Sequence, residues 1–261
     1  MSVQGLCALQ GGIRVVGVPV DHEGLDVECL AQTLRNDPRI RAVYVMPHHQ
    51  YPTTVTFGAG RRLKLLELAR QHDLLIIEDD YDHDYRCDSA PVLPLAARAG
   101  ADRRLIHIGS LSKLTIPALR LGYVIAQPDI LKRMTELREA IDRQGDVPLE
   151  QAMALMNRNG VLGRHARKAR RIYVERRDFL LRKVREKLGD AVTFSVPAGG
   201  LAVWMKIKAC IDGDDWKISA KKNSLNIKNE SSFLSSCKII SVISDLATRT
   251  SMYERLIRRF V

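Results

Sequence analysis

Five short apolar runs set the rhythm of the first half of the chain: IRVVGVPV (13–20), RAVYVM (41–46), LLIIED (74–79), RLIHIG (104–109) and LGYVIA (121–126). They are rich in β-branched residues and nearly continuous rather than strictly alternating, the pattern of strands covered on both faces. Helical spacing fills the gaps between several of them, most clearly in GAGRRLKLLELARQH (58–72). Buried strands alternating with helices predict an α/β fold around a parallel or mostly parallel sheet. Ligands of such sheets bind beyond the carboxyl ends of the strands, so the residues just after each run carry the most weight.

After Pro128 the pattern turns helical, over 128–142, 146–159 and a strongly basic stretch at 164–187. Two further strands, AVTFSV (191–196) and GLAVWMKI (200–207), flank the turn residues Pro197-Ala198-Gly199-Gly200. This predicts a large domain over residues 1–150 and a smaller α+β domain over 151–261, with the boundary near 145–165. From Lys208 the composition shifts: KKNSLNIKNESSFLSSCKII (221–240) is rich in Lys, Asn and Ser, unlike the Arg/Leu/Ala-rich body. A linker, sequence drift and a frame-altered tail all fit that shift.

Composition narrows the class. The 261 residues hold no apolar run near the roughly 20 a membrane span requires, and no signal-peptide pattern opens them. A protein of the cytoplasm is expected. The five cysteines are scattered without CxxC spacing, which predicts neither a disulfide framework nor a zinc site. A net charge of +11 raises the question of nucleic acid. Residues 164–187 alone hold eleven basic and three acidic side chains, a surplus of eight, with Ile172, Tyr173, Phe179, Leu180 and Val184 at helical spacing. That is one long amphipathic helix with a solvated basic face, and no recognition motif accompanies it.

Three clusters at strand ends carry candidate chemistry. MPHHQYPTT (46–54) packs Pro, His, Gln and Thr together, which a structural turn alone would also explain. IIEDDYDHDYR (76–86) places five acids and two tyrosines after the most apolar strand. GSLSKLTIPALRLGYVIA (109–126) sets a single lysine, Lys113, among small, hydroxyl and apolar residues. Ser110, Ser112 and Arg120 suit a phosphate dianion. A semi-buried Lys113 beside that anion, its pKa lowered, suits a Schiff base with a phosphorylated aldehyde. Asp79, from a neighbouring strand end, is placed to keep a pyridine nitrogen protonated.

These segments resemble the pyridoxal-phosphate aminotransferases of class I/II, and most of all the aminotransferase-like domain of MocR-type GntR regulators. The resemblance rests on MPHHQYPTTVTF, LIIEDDYDHDYR, HIGSLSKLTIPALRLGYVIAQP, IDRQGDVPLEQA, YVERRDFL and VPAGGLAVW, in the family's order over residues 13–204. It implies a three-layer, aspartate aminotransferase-like large domain with a mostly parallel sheet, plus a partial small α+β domain. Lys113 would form the internal aldimine, Asp79 would pair with the pyridinium nitrogen, and Tyr81 would hydrogen-bond the phenolic oxygen. Ser110, Ser112 and Arg120 would hold the phosphate, while His49 and Gln50 lie in the segment lining the ring. The implied partners are an amino acid or amine and a second copy in a homodimer. DNA would be reached only through a domain that this sequence does not include.

Two departures from the family pattern shape the functional expectation. The helix-turn-helix domain, and the stretch that supplies a phosphate-binding turn and a ring-stacking aromatic, would both lie before Met1. Near the C-terminus SVIS (241–244) stands where an arginine motif for the substrate carboxylate is expected, and Arg249 is the only nearby candidate. The reading is an aminotransferase-like domain whose transamination is slow. The alternative is a non-catalytic domain that senses an amine effector for a GntR/MocR-type regulator, and a truncated, inactive product is the third.

Overall fold

The computed structural model describes residues 14–87, 92–99, 104–208, 213–222, 227–229 and 239–242. These form two compact units. One comprises Pro19–Gln50 and Val55–Arg170; the other comprises residues 14–18, 51–54 and the described residues from Arg171 onward. The division falls at Arg170/Arg171, inside a long helix.

The first unit is built on a four-stranded sheet in the order β3 (Ala42–Val45), β4 (Leu75–Asp80), β5 (Leu105–Ser110), β6 (Gly122–Ile125). The first three strands are parallel and β6 runs antiparallel to β5. The sheet is therefore mostly parallel, as its apolar runs predict. Burial alternates along β4 and β5, with Ile76, Glu78 and Asp80 on the more deeply covered face, together with Leu105, His107 and Gly109. Parallel register places Asp79 opposite Ile108 and Asp80 opposite Gly109, and Ser110 pairs with Gly122.

Helices α1 (Val27–Asn36) and α2 (Ala59–Gln71) belong to this unit. The Asp26 side chain caps α1 by accepting from the Cys29 N–H at 2.9 Å, and Val27, Leu30 and Leu34 form its buried stripe. Leu65, Leu66, Leu68 and Ala69 do the same for α2. Ahead of α1 lies a two-stranded hairpin, β1 (Val20–Asp21) with β2 (Gly24–Leu25).

One expected strand is corrected here. Of the run 13–20, only Val20 enters a strand; residues 14–19 are irregular, and Val15 and Val16 are 51% and 40% exposed. A β-prone run becomes a strand only when a neighbour supplies hydrogen bonds, and Pro19 offers no N–H to a ladder.

Between β4 and β5 lies α3 (Leu95–Ala99), and beyond β6 the chain forms α4 (Pro128–Asp142), α5 (Val147–Arg158) and α6 (Val161–Leu188). Leu114, Met153, Leu162 and Ala166 form one buried cluster, which ties the turn after β5 to α5 and the first turns of α6. In the second unit β7 (Val192–Phe194), β8 (Val203–Ile207), β10 (Ile239–Val242) and β9 (Lys228–Asn229) form an antiparallel sheet. Its core joins Leu180, Leu181 and Val184 of α6 to Val203 and Met205 of β8 and Ala220 of α7 (Gly213–Lys222). The basic helix is not wholly solvated on its charged side: Arg177 is buried and donates to the Pro197 carbonyl at 2.8 Å. Among the described residues, no helix is long and apolar enough to cross a membrane.

Candidate active site

The segment after β5 is fixed from several directions. The Leu111 N–H donates to the Leu121 carbonyl at 3.0 Å, and the Thr115 N–H and hydroxyl both donate to the Leu111 carbonyl, at 2.9 and 2.8 Å. The Tyr85 hydroxyl donates to the Lys113 carbonyl at 2.7 Å, and a ring nitrogen of His165 lies 2.9 Å from the Leu114 carbonyl. Leu114 and Ser112 point inward while Lys113, between them, is exposed. The backbone at Lys113 is thus held at its carbonyl while the side chain projects freely. This corrects the expected semi-buried lysine: alternation in a short turn sends the flanking residues to the core and the amine outward.

Arg120 follows the 3-10 turn Pro117–Leu119 in a left-handed conformation, φ 51°, and is also exposed. The Leu111–Leu121 bond and the Ser110–Gly122 pairing bring it alongside Ser110 and Ser112. Gly109 is required by close approach, because a Cβ there would run into the Tyr123 ring.

At the end of β4, Asp79 is half-buried and accepts a hydrogen bond from the Tyr44 hydroxyl of β3. Burial raises the Asp79 carboxyl above its usual range, against the Tyr44 hydrogen bond, which lowers it. Burial, together with the facing Asp79 carboxylate, pushes the Tyr44 phenol far up, so it remains a donor. Tyr81 is half-buried just beyond. His49 is buried and its Nδ1 lies 2.8 Å from Asp82 Oδ1; Gln50 closes a turn through its N–H to the Val55 carbonyl at 2.9 Å.

The other face of β4 carries its own acids. Glu78 accepts from the Leu95 and Ala96 N–H groups at 2.7 and 3.0 Å, and its Oε2 lies 2.9 Å from His107 Nδ1. Burial opposes ionisation of Asp80, yet the facing His48 and His83 rings hold its carboxyl well below the usual range. A cavity of about 620 Å³ opens on this side, lined by Asp80, His83, Ser110, Tyr123, Arg138 and Glu150 among others.

Adjacent parallel strands thus bring Asp79, Tyr81, Ser110, Ser112 and Lys113 to one end of the sheet, with Arg120 beside them. A primary amine, two hydroxyls, a guanidinium and a carboxylate are groups whose chemistry suits an anionic aldehyde that carries a basic ring nitrogen. Two contributors were not found by sequence reasoning. Tyr44 meets Asp79 only through the β3–β4 register, and Tyr85 meets Lys113 only through tertiary closure. Arg249 lies outside the described residues, as do residues 243 and 244 of the SVIS segment.

The sequence and the fold were compared with known proteins. A family model described as aspartate amino-transferase matches residues 6–216. An aromatic-amino-acid aminotransferase of Thermococcus litoralis is 31% identical over 201 residues, 76% of this chain and 48% of that protein. The probable rhizopine catabolism regulatory protein MocR of Rhizobium meliloti is 28% identical over 208 residues, 79% of this chain and 41% of its own length. The chain therefore spans less than half the length of these curated relatives. Among solved structures, Pyrococcus horikoshii kynurenine aminotransferase, in complex with PMP, superposes with a TM-score of 0.86 at 25% identity, covering 98% of this chain and 65% of that one. Pyridoxal phosphate dependence is a property of this group of proteins. With a mostly parallel sheet, a matching fold and a family model that covers most of its length, the chain belongs to the aspartate amino-transferase family and is related to the MocR-type regulators.

Proposed function

We propose that this chain is a pyridoxal-phosphate-binding, aminotransferase-like domain in which Lys113 holds the cofactor and moves the substrate proton. One observation carries the reading: Ser110 ends the strand next to that of Asp79, Ser112 and the anchored Lys113 stand in the turn that follows it, and Arg120 is tied alongside. Ser110, Ser112 and Arg120 would receive the phosphate, Asp79 the ring nitrogen and Tyr81 the phenolic oxygen. Bound pyridoxal phosphate supplies an aldehyde that bonds amines and a ring that takes up the electron pair left at Cα.

The chain's own residues do the rest. The Tyr44 donor offsets part of the burial that raises the Asp79 carboxyl, and an ionised Asp79 would face a protonated ring nitrogen. Lys113 Nζ, when free of the aldehyde, would take and return the proton at Cα. The Tyr85 hydroxyl pins the Lys113 carbonyl, so only the side chain of Lys113 has to move between the two tasks.

The test is direct. Protein mixed with pyridoxal phosphate and reduced with borohydride is expected to carry a permanent adduct that peptide mapping places on Lys113, and Lys113→Ala is expected to abolish it. An adduct confined to the lysines of 206–222 would sink the assignment.

A second reading is favoured by the regulators among the relatives, MocR and the Bacillus subtilis regulator YdeL, the latter 28% identical over 215 residues. In that reading the same site senses an amine and turnover is slow. Amino-acid-induced spectral change without keto-acid release supports it, whereas rapid stoichiometric keto acid supports the enzyme. A homodimer is part of either reading, checked by the mass in solution.

A further inference from the structure

We propose that His48, Asp80 and His83 form a binding site for one divalent transition metal of the zinc class, on the opposite face of β4 from Asp79. The three come from two adjacent strand ends. His48 sits in the loop after β3, Asp80 is the last residue of β4, and His83 opens the short 3-10 turn that follows. His48 and Asp80 are 1% and 4% exposed, while the His83 side chain is 44% exposed.

The argument starts from the tautomer of His48. Its Nε2 lies 2.7 Å from the Val92 carbonyl oxygen, and a carbonyl can only accept. Nε2 therefore carries a proton, and whenever the ring holds only that one, Nδ1 presents its lone pair toward Asp80. That lone pair lies 3.1 Å from Asp80 Oδ2. Nδ1 makes no hydrogen bond despite this proximity, and Asp80 Oδ1 is likewise buried without a partner. His83 Nδ1 stands 3.2 Å from the same Oδ2. Two buried atoms left without a hydrogen bond, His48 Nδ1 and Asp80 Oδ1, beside a carboxylate oxygen that faces two ring nitrogens, are an arrangement that a cation at the centre would satisfy.

The spacing fits a metal better than a lone proton. Tetrahedral ligands with bonds of about 2.0 Å lie roughly 3.3 Å apart. Two edges of the trio, at 3.1 and 3.2 Å, are already near that value. All three ligand atoms fall within 4.8 Å of one another, so a small turn of the exposed His83 ring closes the third edge. Two imidazoles and one carboxylate favour zinc-class ions over calcium or magnesium, which take oxygen ligands. The Val92 carbonyl is the outer partner that fixes the His48 tautomer for ligation. Three protein ligands leave a fourth position, and Asp80 and His83 both line the 620 Å³ cavity, where water or a small ligand can complete the sphere. The cysteine-based expectation of no zinc site does not bear on this trio, which uses no thiol.

The experiment uses the full chain, stripped with chelator and titrated with Zn2+ alone by calorimetry, then with Co2+ by visible absorption. One equivalent per chain is expected, with tetrahedral cobalt bands free of thiolate charge transfer. His83→Ala removes an exposed ligand, so the fold is retained by circular dichroism while affinity falls at least about tenfold. Asp80→Asn is expected to fall further. The proposal is overturned by absence of saturable binding, by stoichiometric binding that both variants leave intact, or by cobalt bands showing thiolate ligation.

Discussion

The two faces of β4 make the instructive contrast. On one face Glu78 is fully buried and every contact it makes is internal: two backbone donors from α3 and the His107 ring. On the other, one residue along, Asp79 is half-buried and answered by a single hydroxyl from β3. A saturated acid holds the sheet to its covering helix. An acid with room around it can meet a ligand. The pleat separates the two roles by one residue, so a run of carboxylates that reads as a solvated loop divides into scaffold and site.

The contrast is broken hardest at Glu78. Glu78→Ala leaves the buried Leu95 N–H, the half-buried Ala96 N–H and a buried imidazole without their acceptor, and such a loss costs about 3–5 kcal/mol. Glu78→Gln keeps the shape and one acceptor, so it is expected to cost clearly less. Denaturant unfolding with matched slopes measures both, and a Glu78→Ala loss under about 1 kcal/mol would remove the scaffold role.

At Asp79 the expected order of effects inverts. Burial already disfavours its charge, so Asp79→Ala is expected to leave unfolding within about 1 kcal/mol of the parent. Its effect falls on the cofactor. A hydrogen bond between charged groups contributes about 1.5–3 kcal/mol, a roughly ten- to hundredfold weakening of pyridoxal phosphate binding when it is removed. Fluorescence titration of the two proteins decides the point; a large stability loss with unchanged affinity would exchange the roles of the two faces.

Much of this arrangement is legible in the sequence, and the gaps have physical causes. The runs at 41–46, 74–79, 104–109 and 121–126 form strands because each finds a neighbour in the sheet; in IRVVGVPV, of similar composition, residues 14–19 pair with no strand among the described residues. Asp79 and Lys113 stand out by residue type after an apolar run. Tyr44 does not, since it looks like any strand tyrosine until the register places it near Asp79. Lys113 proved exposed because the turn's side-chain alternation, which sequence does not display, decides its direction. At the tail composition left the outcome open, and the structure adds a strand there: residues 239–242 pair with β8 along Val203–Lys206. Backbone pairing is indifferent to the polarity of what precedes it.

The smallest effect lies away from both faces, at the hairpin ahead of α1, and tests whether an exposed acid behaves differently from the two in β4. Arg61 grips Asp21 with both terminal nitrogens, at 2.7 Å each, and the same guanidinium donates to the Gly24 and Leu25 carbonyls at 3.1 Å. Those Arg61 hydrogen bonds, aided by the Glu23 N–H, lower the Asp21 carboxyl from 3.8 to about 2. A folded-state value below the unfolded one means that the pair contributes stability above pH 3.8, and that this contribution drains away as pH falls toward 2. Asp21 is open to solvent and Arg61 only partly covered, so salt screens the contribution and its size is small. Asp21→Asn is therefore expected to melt slightly below the parent at neutral pH and low salt. The gap should narrow between pH 4 and pH 2 and close with added salt. A gap that persists unchanged at pH 2 would mean that the two side chains contribute through packing at the hairpin, with the charge incidental.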